Sequence, residues 1–134
     1  MDKFDKSKRS WIMSRIKNKR TKPEIKIRSI IFNLGYRYRV NRRDLPGIPD
    51  IVFSKMKKVI FIHGCFWHGH ENCSRSNRPT TNQEFWNRKI DSNITRDKRN
   101  IHLLEEDGWD VLVIWQCQIK DNNISARIAH FLET

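Results

Sequence analysis

The apolar positions of this chain change their spacing several times, and each change marks an element. Ile27, Ile30, Ile31 and Leu34 recur at i, i+3, i+4 and i+7, which is one face of a helix. Thr21-Lys22-Pro23-Glu24 ahead of them reads as a capping box with proline in the first turn, and Gly35 behind them as a stop. Glu24 falls at the edge of the apolar stripe, so it can face whatever the helix packs on. Residues 36–40 alternate aromatic or aliphatic side chains with arginine, the pattern of a half-buried strand. Two apolar runs, 49–53 and 58–62, flank Ser54-Lys55-Met56-Lys57 and read as a hairpin. After a polar loop rich in cysteine and histidine, Thr81-Asn82-Gln83-Glu84 reads as a second capping box, opening a long helix that ends near Gly108. Residues 109–115 (WDVLVIW) read as a buried strand and 125–132 as a last short helix. This order predicts an α/β domain with a mixed sheet: an antiparallel meander, then a crossover helix into a parallel strand.

Composition narrows the class. A length of 134 residues bounds the chain to one domain, 1–134, and 37% hydrophobic residues suffice for a modest core. Lys and Arg total 27 against 15 Asp and Glu, a formal charge of +12, which suits a polyanion; a merely solubilised or ribosomal surface is the plainer alternative. Residues 1–20, basic with Trp11, Ile12, Met13 and Ile16 as their sparse apolar set, read as a short helix or an arm that orders on DNA. No apolar run reaches membrane-spanning length and the start has no secretory pattern, so the expectation is a cytoplasmic protein with no membrane partner. Three cysteines, an odd number, suit a reducing compartment and metal ligation better than a disulfide framework.

Candidate chemistry gathers at three places. Asp50 opens the second strand and His63 closes the third. A tight turn at 55–56 puts Asp50 across from Phe61, with His63 a same-face diagonal neighbour at roughly 7–8 Å. That gap fits a hydrated divalent cation, although an Asp after proline at a strand start is also ordinary turn chemistry. On the long helix, Asp97 sits inside the stripe of Ile90, Ile94, Ile101 and Leu104, while Arg96, Lys98 and Arg99 point elsewhere. A buried acid needs a partner from another element, either a histidine or the cation of a structural ion pair. Finally, Cys65, His70 and Cys73 share one loop, and Cys117 follows the last strand. Three thiolates and one imidazole make a closed tetrahedral zinc site that would clamp the loop to the sheet; free thiols and surface histidines are the alternative. His63 and His68 then remain as general acid/base candidates. Phe66 and Trp67, with Trp86 opening the next helix, either cover the metal or stack on bases.

The segments LPGIPDIVF, FIHGCFWHGH and FWNRKIDSNITRDKRNIHLLEEDGWDVLVIWQC resemble the very-short-patch repair (Vsr) DNA mismatch endonucleases, from RSWIM at 9–13 to about Cys117. The resemblance implies a restriction-endonuclease-like αβββαβ core. It also implies a magnesium-dependent enzyme that nicks double-stranded DNA 5′ of the thymine in T·G mismatches, which arise when 5-methylcytosine deaminates. Asp50 resembles the magnesium-binding aspartate, with the Ile62 backbone carbonyl as the other protein contact. His63 and Phe61 stand where the wider superfamily has the lysine and glutamate of its E-x-K motif. His68 matches the general base, Asp97 the carboxylate that orients it, and Glu24 an acid that helps position water at the metal. Cys65, His70, Cys73 and Cys117 match structural zinc ligands, Phe66, Trp67 and Trp86 the intercalating aromatics, and Met13 an arm residue in the minor groove. The implied partners are mismatched DNA, a cytosine-5 methyltransferase by functional link and mismatch-repair proteins, with the enzyme a bacterial, DNA-associated monomer. Two other readings stand beside it. One is a same-fold homing or restriction-associated endonuclease, the other a non-catalytic zinc-stapled DNA-binding module.

Overall fold

Helix α1 (Lys22–Asn33) buries Ile27 and Ile31 completely and Ile30 in part, as their spacing predicts. The structure, a computed structural model, describes residues 22–134; the predicted arm with Trp11, Ile12, Met13 and Ile16, and Thr21 of the first capping box, lie outside the described residues. Gly35, at φ +91°, ends the helix in a Schellman turn: its N–H donates to Phe32 O (3.0 Å) and the Tyr36 N–H to Ile31 O (3.3 Å). That turn commits the Tyr36 N–H to the helix. The strand expected over 36–40 therefore pairs only as β1 (Arg39–Val40), while Tyr36 and Tyr38 pack on the core.

Strands β2 (Ile51–Phe53) and β3 (Lys58–His63) form the expected hairpin, with Ile51 opposite Ile60, Val52 opposite Val59 and Phe53 opposite Lys58. The long helix α2 (Gln83–Glu106) then carries the chain to β4 (Asp110–Trp115), which pairs parallel with β3. The sheet order is β1-β2-β3-β4, antiparallel except at its last pair. The second capping box does not form. Asn82 precedes α2 in the left-handed region (φ 54°) without a side-chain cap, and Arg78 instead ties the incoming loop to Asn87 (2.9 Å) and Asp91 (2.8 Å). Gly108 (φ +87°) closes α2 with a second Schellman turn, Gly108 N–H to Glu105 O and Trp109 N–H to Leu104 O, both 3.0 Å. Helix α3 (Ile124–Glu133) completes the described chain. Among the described residues no helix is long and apolar enough to cross a membrane.

Strand alternation splits the core in two. Ile51, Phe53, Ile60 and Ile114 face α1 and α3, meeting Ile27, Ile31, Ile124 and Ile128. Val52, Val59 and Phe61 face the other way and meet Leu104 of α2 and Trp109. A three-layer α/β/α arrangement results, and whatever shares the pleat of Val52 and Phe61 faces α2.

Gly35 has open space where a Cβ would stand, so Gly35→Ala tests backbone strain alone. The variant should be destabilised by about 1–2 kcal/mol, the cost of an L side chain in the left-handed region, as read by urea unfolding with an unchanged native circular dichroism spectrum.

Candidate active site and metal cluster

The reactive end of the sheet is built by a proline. Extending the β2–β3 register by one residue sets Asp50 opposite Phe61, on the face covered by α2. One residue further, Ile62 stands opposite Pro49, which has no N–H to contribute to a ladder. The Asp50 carboxylate takes over: its Oδ2 accepts the Ile62 N–H at 2.7 Å. A strand residue sends its N–H and C=O toward the same neighbour, so the Ile62 carbonyl lies on the Asp50 side as well. Burial pushes the Asp50 carboxyl up to about 6. The Ile62 N–H opposes that shift, the charge of Glu24 adds to it, and His68 and Arg28 partly offset it. Glu24 in turn meets Arg28 at 3.4 Å.

Two imidazoles face this carboxylate. His63 is 6% exposed and its Nδ1 is buried with no hydrogen-bond partner. Its ring stacks on His68, with centroids 3.9 Å apart and planes 4° from parallel. Burial first, then the neighbouring His68, lowers His63 to about 4, against the pull of Asp97, so His63 is neutral at neutral pH. His68 Nδ1 lies 2.6 Å from Asp97 Oδ2, which supplies the partner that an acid on the inner stripe of α2 requires. A carboxylate on Nδ1 fixes the tautomer and leaves Nε2 to act as a base. Asp50, Ile62, His63, His68 and Asp97 line one cavity of about 170 Å³, room for several waters and the polar end of a substrate.

The parallel register builds the second centre. His63 pairs with Trp115, and each is followed two residues later by a cysteine, so Cys65 and Cys117 emerge level from adjacent strand ends. The loop then folds back. His70 N–H donates to Cys65 O (3.0 Å), and Ser76 Oγ bonds His70 O (2.6 Å) and Cys73 O (2.7 Å). The ligand atoms of Cys65, His70, Cys73 and Cys117 all lie within 4.8 Å of one another. Cys117 Sγ is 3.4 Å from His70 Nδ1, close to the value of about 3.6 Å across the edge of a tetrahedral sulfur–nitrogen zinc site. Burial, then the adjacent thiols of Cys65 and Cys73, push Cys117 up to about 11. A cation among the sulfurs would reverse that cost, so the donor set fits a metal ion.

Two residues that sequence reasoning passed over belong to this region. Trp115 stacks on His70 (4.1 Å, 9°) and meets His63 edge-on (5.2 Å, 77°), so one ring separates the metal cluster from the histidine pair. It read as core, and only the parallel register reveals its position. Phe85 is 58% exposed and leans on Trp86 at 5.1 Å. It extends the expected trio of Phe66, Trp67 and Trp86, whose centroids lie 5.2, 5.4 and 5.8 Å apart. Trp67 is 47% exposed, so these rings form a surface outside the core. The signal for Phe85 was present in the Phe-Trp pair that opens α2.

Comparisons with known proteins identify the family. The family model described as DNA mismatch endonuclease Vsr matches residues 1–75. The chain is 41% identical over 133 residues to the type II nicking enzyme V.XorIIP of Xanthomonas oryzae pv. oryzae, covering 98% of this chain and 97% of that one. It is 47% identical over 123 residues to the type II nicking enzyme V.NmeAIP of Neisseria meningitidis, covering 92% and 87%. It is also 42% identical over 119 residues to DNA mismatch endonuclease Vsr of Escherichia coli, covering 89% and 76%. The protein is a DNA endonuclease, a hydrolase with DNA as its partner. Within that class, the chain belongs to the Vsr family of DNA mismatch endonucleases.

The raised Asp50 value has a stability consequence with a definite sign. Folding favours the protonated carboxyl, so its contribution is complete below the ordinary value of 3.8 and is lost as pH rises through about 6. Asp50→Asn should therefore melt higher than the wild type at pH 8 without added magnesium, by up to about 3 kcal/mol, and the two should converge at pH 4. Thermal melts across that range check it.

Proposed function

We propose that this chain is a magnesium-dependent nicking enzyme that cleaves double-stranded DNA 5′ of the thymine in a T·G mismatch, on a restriction-endonuclease-like core. The His68–Asp97 pair, at 2.6 Å and facing Asp50 across one cavity, carries this reading. A DNA-binding module has no use for a carboxylate on the inner face of α2 aimed at a histidine. Homing or restriction-associated cleavage is the second reading, and the products of the reaction distinguish it.

In the proposed mechanism Asp50 and the Ile62 carbonyl would hold magnesium, and Glu24 would help position water there. When bound, the ion supplies positive charge against the oxygens of the scissile phosphate. His68 Nε2 takes a proton from the attacking water, and Asp97 holds the Nδ1–H and stabilises the imidazolium that forms. His63, neutral and lining the same cavity, would hydrogen-bond a phosphate oxygen or its water. Zinc is the ion assigned to Cys65, His70, Cys73 and Cys117, where a closed set of four leaves no position for catalysis.

Mismatch choice cannot come from the +12 charge, since phosphate contacts position a protein without reading sequence. A wobble T·G step stacks poorly and opens at lower cost than a matched one, so the ring surface of Phe66, Trp67 and Trp86 would wedge there selectively. Met13, on the arm, is assigned to the minor-groove side. One site in a monomer meets one scissile phosphate, hence a nick. The substrate links the enzyme to cells whose cytosine-5 methyltransferase makes the 5-methylcytosine that deaminates to the mismatched thymine, and mismatch-repair proteins are its further proposed partners.

Incubation with magnesium and labelled duplexes tests this reading. The expected product is a single nick 5′ of T in T·G and none in matched C·G, with His68→Ala inactive and Asp97→Asn slowed by roughly 10²–10⁴-fold. Equal cutting of matched DNA or double-strand breaks would transfer the protein to the second reading. For the cluster, metal analysis should give about one zinc per chain, and Cys73→Ala should lose it together with several kcal/mol of stability. A metal-free protein that melts like the native one would remove the zinc assignment.

A further inference from the structure

His68 reaches Asp97 across a seam between the metal loop and α2, and at one point in that seam there is no side chain. Gly69 lies there at φ +60°. A Cβ on it would fall 2.6 Å from Ile94 Cδ1, 3.1 Å from Ile94 Cγ1 and 3.1 Å from Ile90 Cγ2. The Cδ1 methyl can swing aside. The two Cγ atoms cannot, because an isoleucine inside a helix is held to one χ1 rotamer and Ile90 is fully buried. Ile94 stands three residues before Asp97, on the same side of α2, and Gly69 directly follows His68. On the other flank of His68, Asn93 Nδ2 donates to Trp67 O at 2.9 Å. The loop is thus held against α2 immediately before and immediately after the histidine.

We propose that Gly69, seated on Ile94, is a positioning residue for the nicking reaction: its missing side chain sets the distance at which His68 meets Asp97. The inference rests on the reading of His68 as the general base. A carbon needs about 3.5 Å or more to a neighbouring carbon, so a Cβ against the two Cγ atoms drives the loop outward by about 0.4 Å. The 2.6 Å His68–Asp97 bond then lengthens and tilts, and the imidazole loses part of its orientation. The metal ligands have separate anchors in Cys65, the Ser76 bonds and the end of β4, so the cluster does not depend on this contact.

The test measures single-turnover nicking, DNA affinity and metal content for Gly69→Ala, Ile94→Ala and the double variant. Gly69→Ala should lower the chemical rate by about 10- to 100-fold with metal content and DNA affinity unchanged. Ile94→Ala removes both of the Ile94 atoms that the new Cβ would meet, so the double variant should nick close to the rate of Ile94→Ala alone. A Gly69→Ala rate within twofold of wild type overturns the proposal, and so does a double variant that falls as far below Ile94→Ala as Gly69→Ala falls below wild type. If Gly69→Ala alone does not fold, the double variant decides: folded and active supports the spacing role, unfolded or inactive overturns it. His68→Ala run in parallel separates the two levels. If it stays active the base assignment fails; if it is inactive while Gly69→Ala is fully active, only the spacing proposal fails.

Discussion

The parallel pairing of β3 with β4 is the constraint on which the rest of the site depends. Its register sets His63 beside Trp115, and from that single alignment two cysteines leave the sheet at one level. The loop between them and α2 must then cross the open strand ends. In doing so it brings His70 onto one side of Trp115 and lays His68 on His63. A parallel pair requires a long crossover, and that crossover is α2, the element that carries Asp97. One topological choice therefore supplies the metal cluster, the histidine stack and the acid that meets it.

Polar groups at the reactive end are kept at a cost to stability. Asp50 is buried near Glu24, His63 retains an unpartnered ring nitrogen, and two imidazoles lie face to face. None of this favours folding; each is an energetic cost that a cation or a phosphate would relieve. The opposing stabilisation comes from the two apolar faces of the sheet, and an ion in the four-residue cluster would add to it. That cluster lies one tryptophan ring away from the strained groups, close enough to hold the loop and separate enough to leave the cavity open.

In the proposed reading, affinity and selection fall to different surfaces. The excess of lysine and arginine supplies attraction for any duplex, whereas Trp67 and Phe85 expose aromatic area that a solvated surface would not keep. Their rings sit on Trp86 at the start of α2, and His68 meets Asp97 further along the same helix. In the proposed mechanism, opening of a base step and presentation of a phosphate would thereby be referred to one helix.

Much of this was legible in the sequence, because local rules govern it. A period of 3.6 identified α1 and α2, continuous apolar runs the hairpin and β4, and the glycines at 35 and 108 marked both helix ends, where a positive φ is required. An acid inside an apolar stripe announced that Asp97 had a partner, and the loop composition announced a cluster that could hold a metal. Local signals misled where one backbone group had two uses. Tyr36 closes a helix instead of extending a strand, and the Thr81 box gives way to Asn82 and Arg78. What only the tertiary structure decided is which elements meet: that Asp97 finds His68, that Trp115 stands between two centres, and that Gly69 is where loop and helix touch. These contacts join residues far apart in sequence through strand order and register, and no local pattern encodes a distance across a sheet.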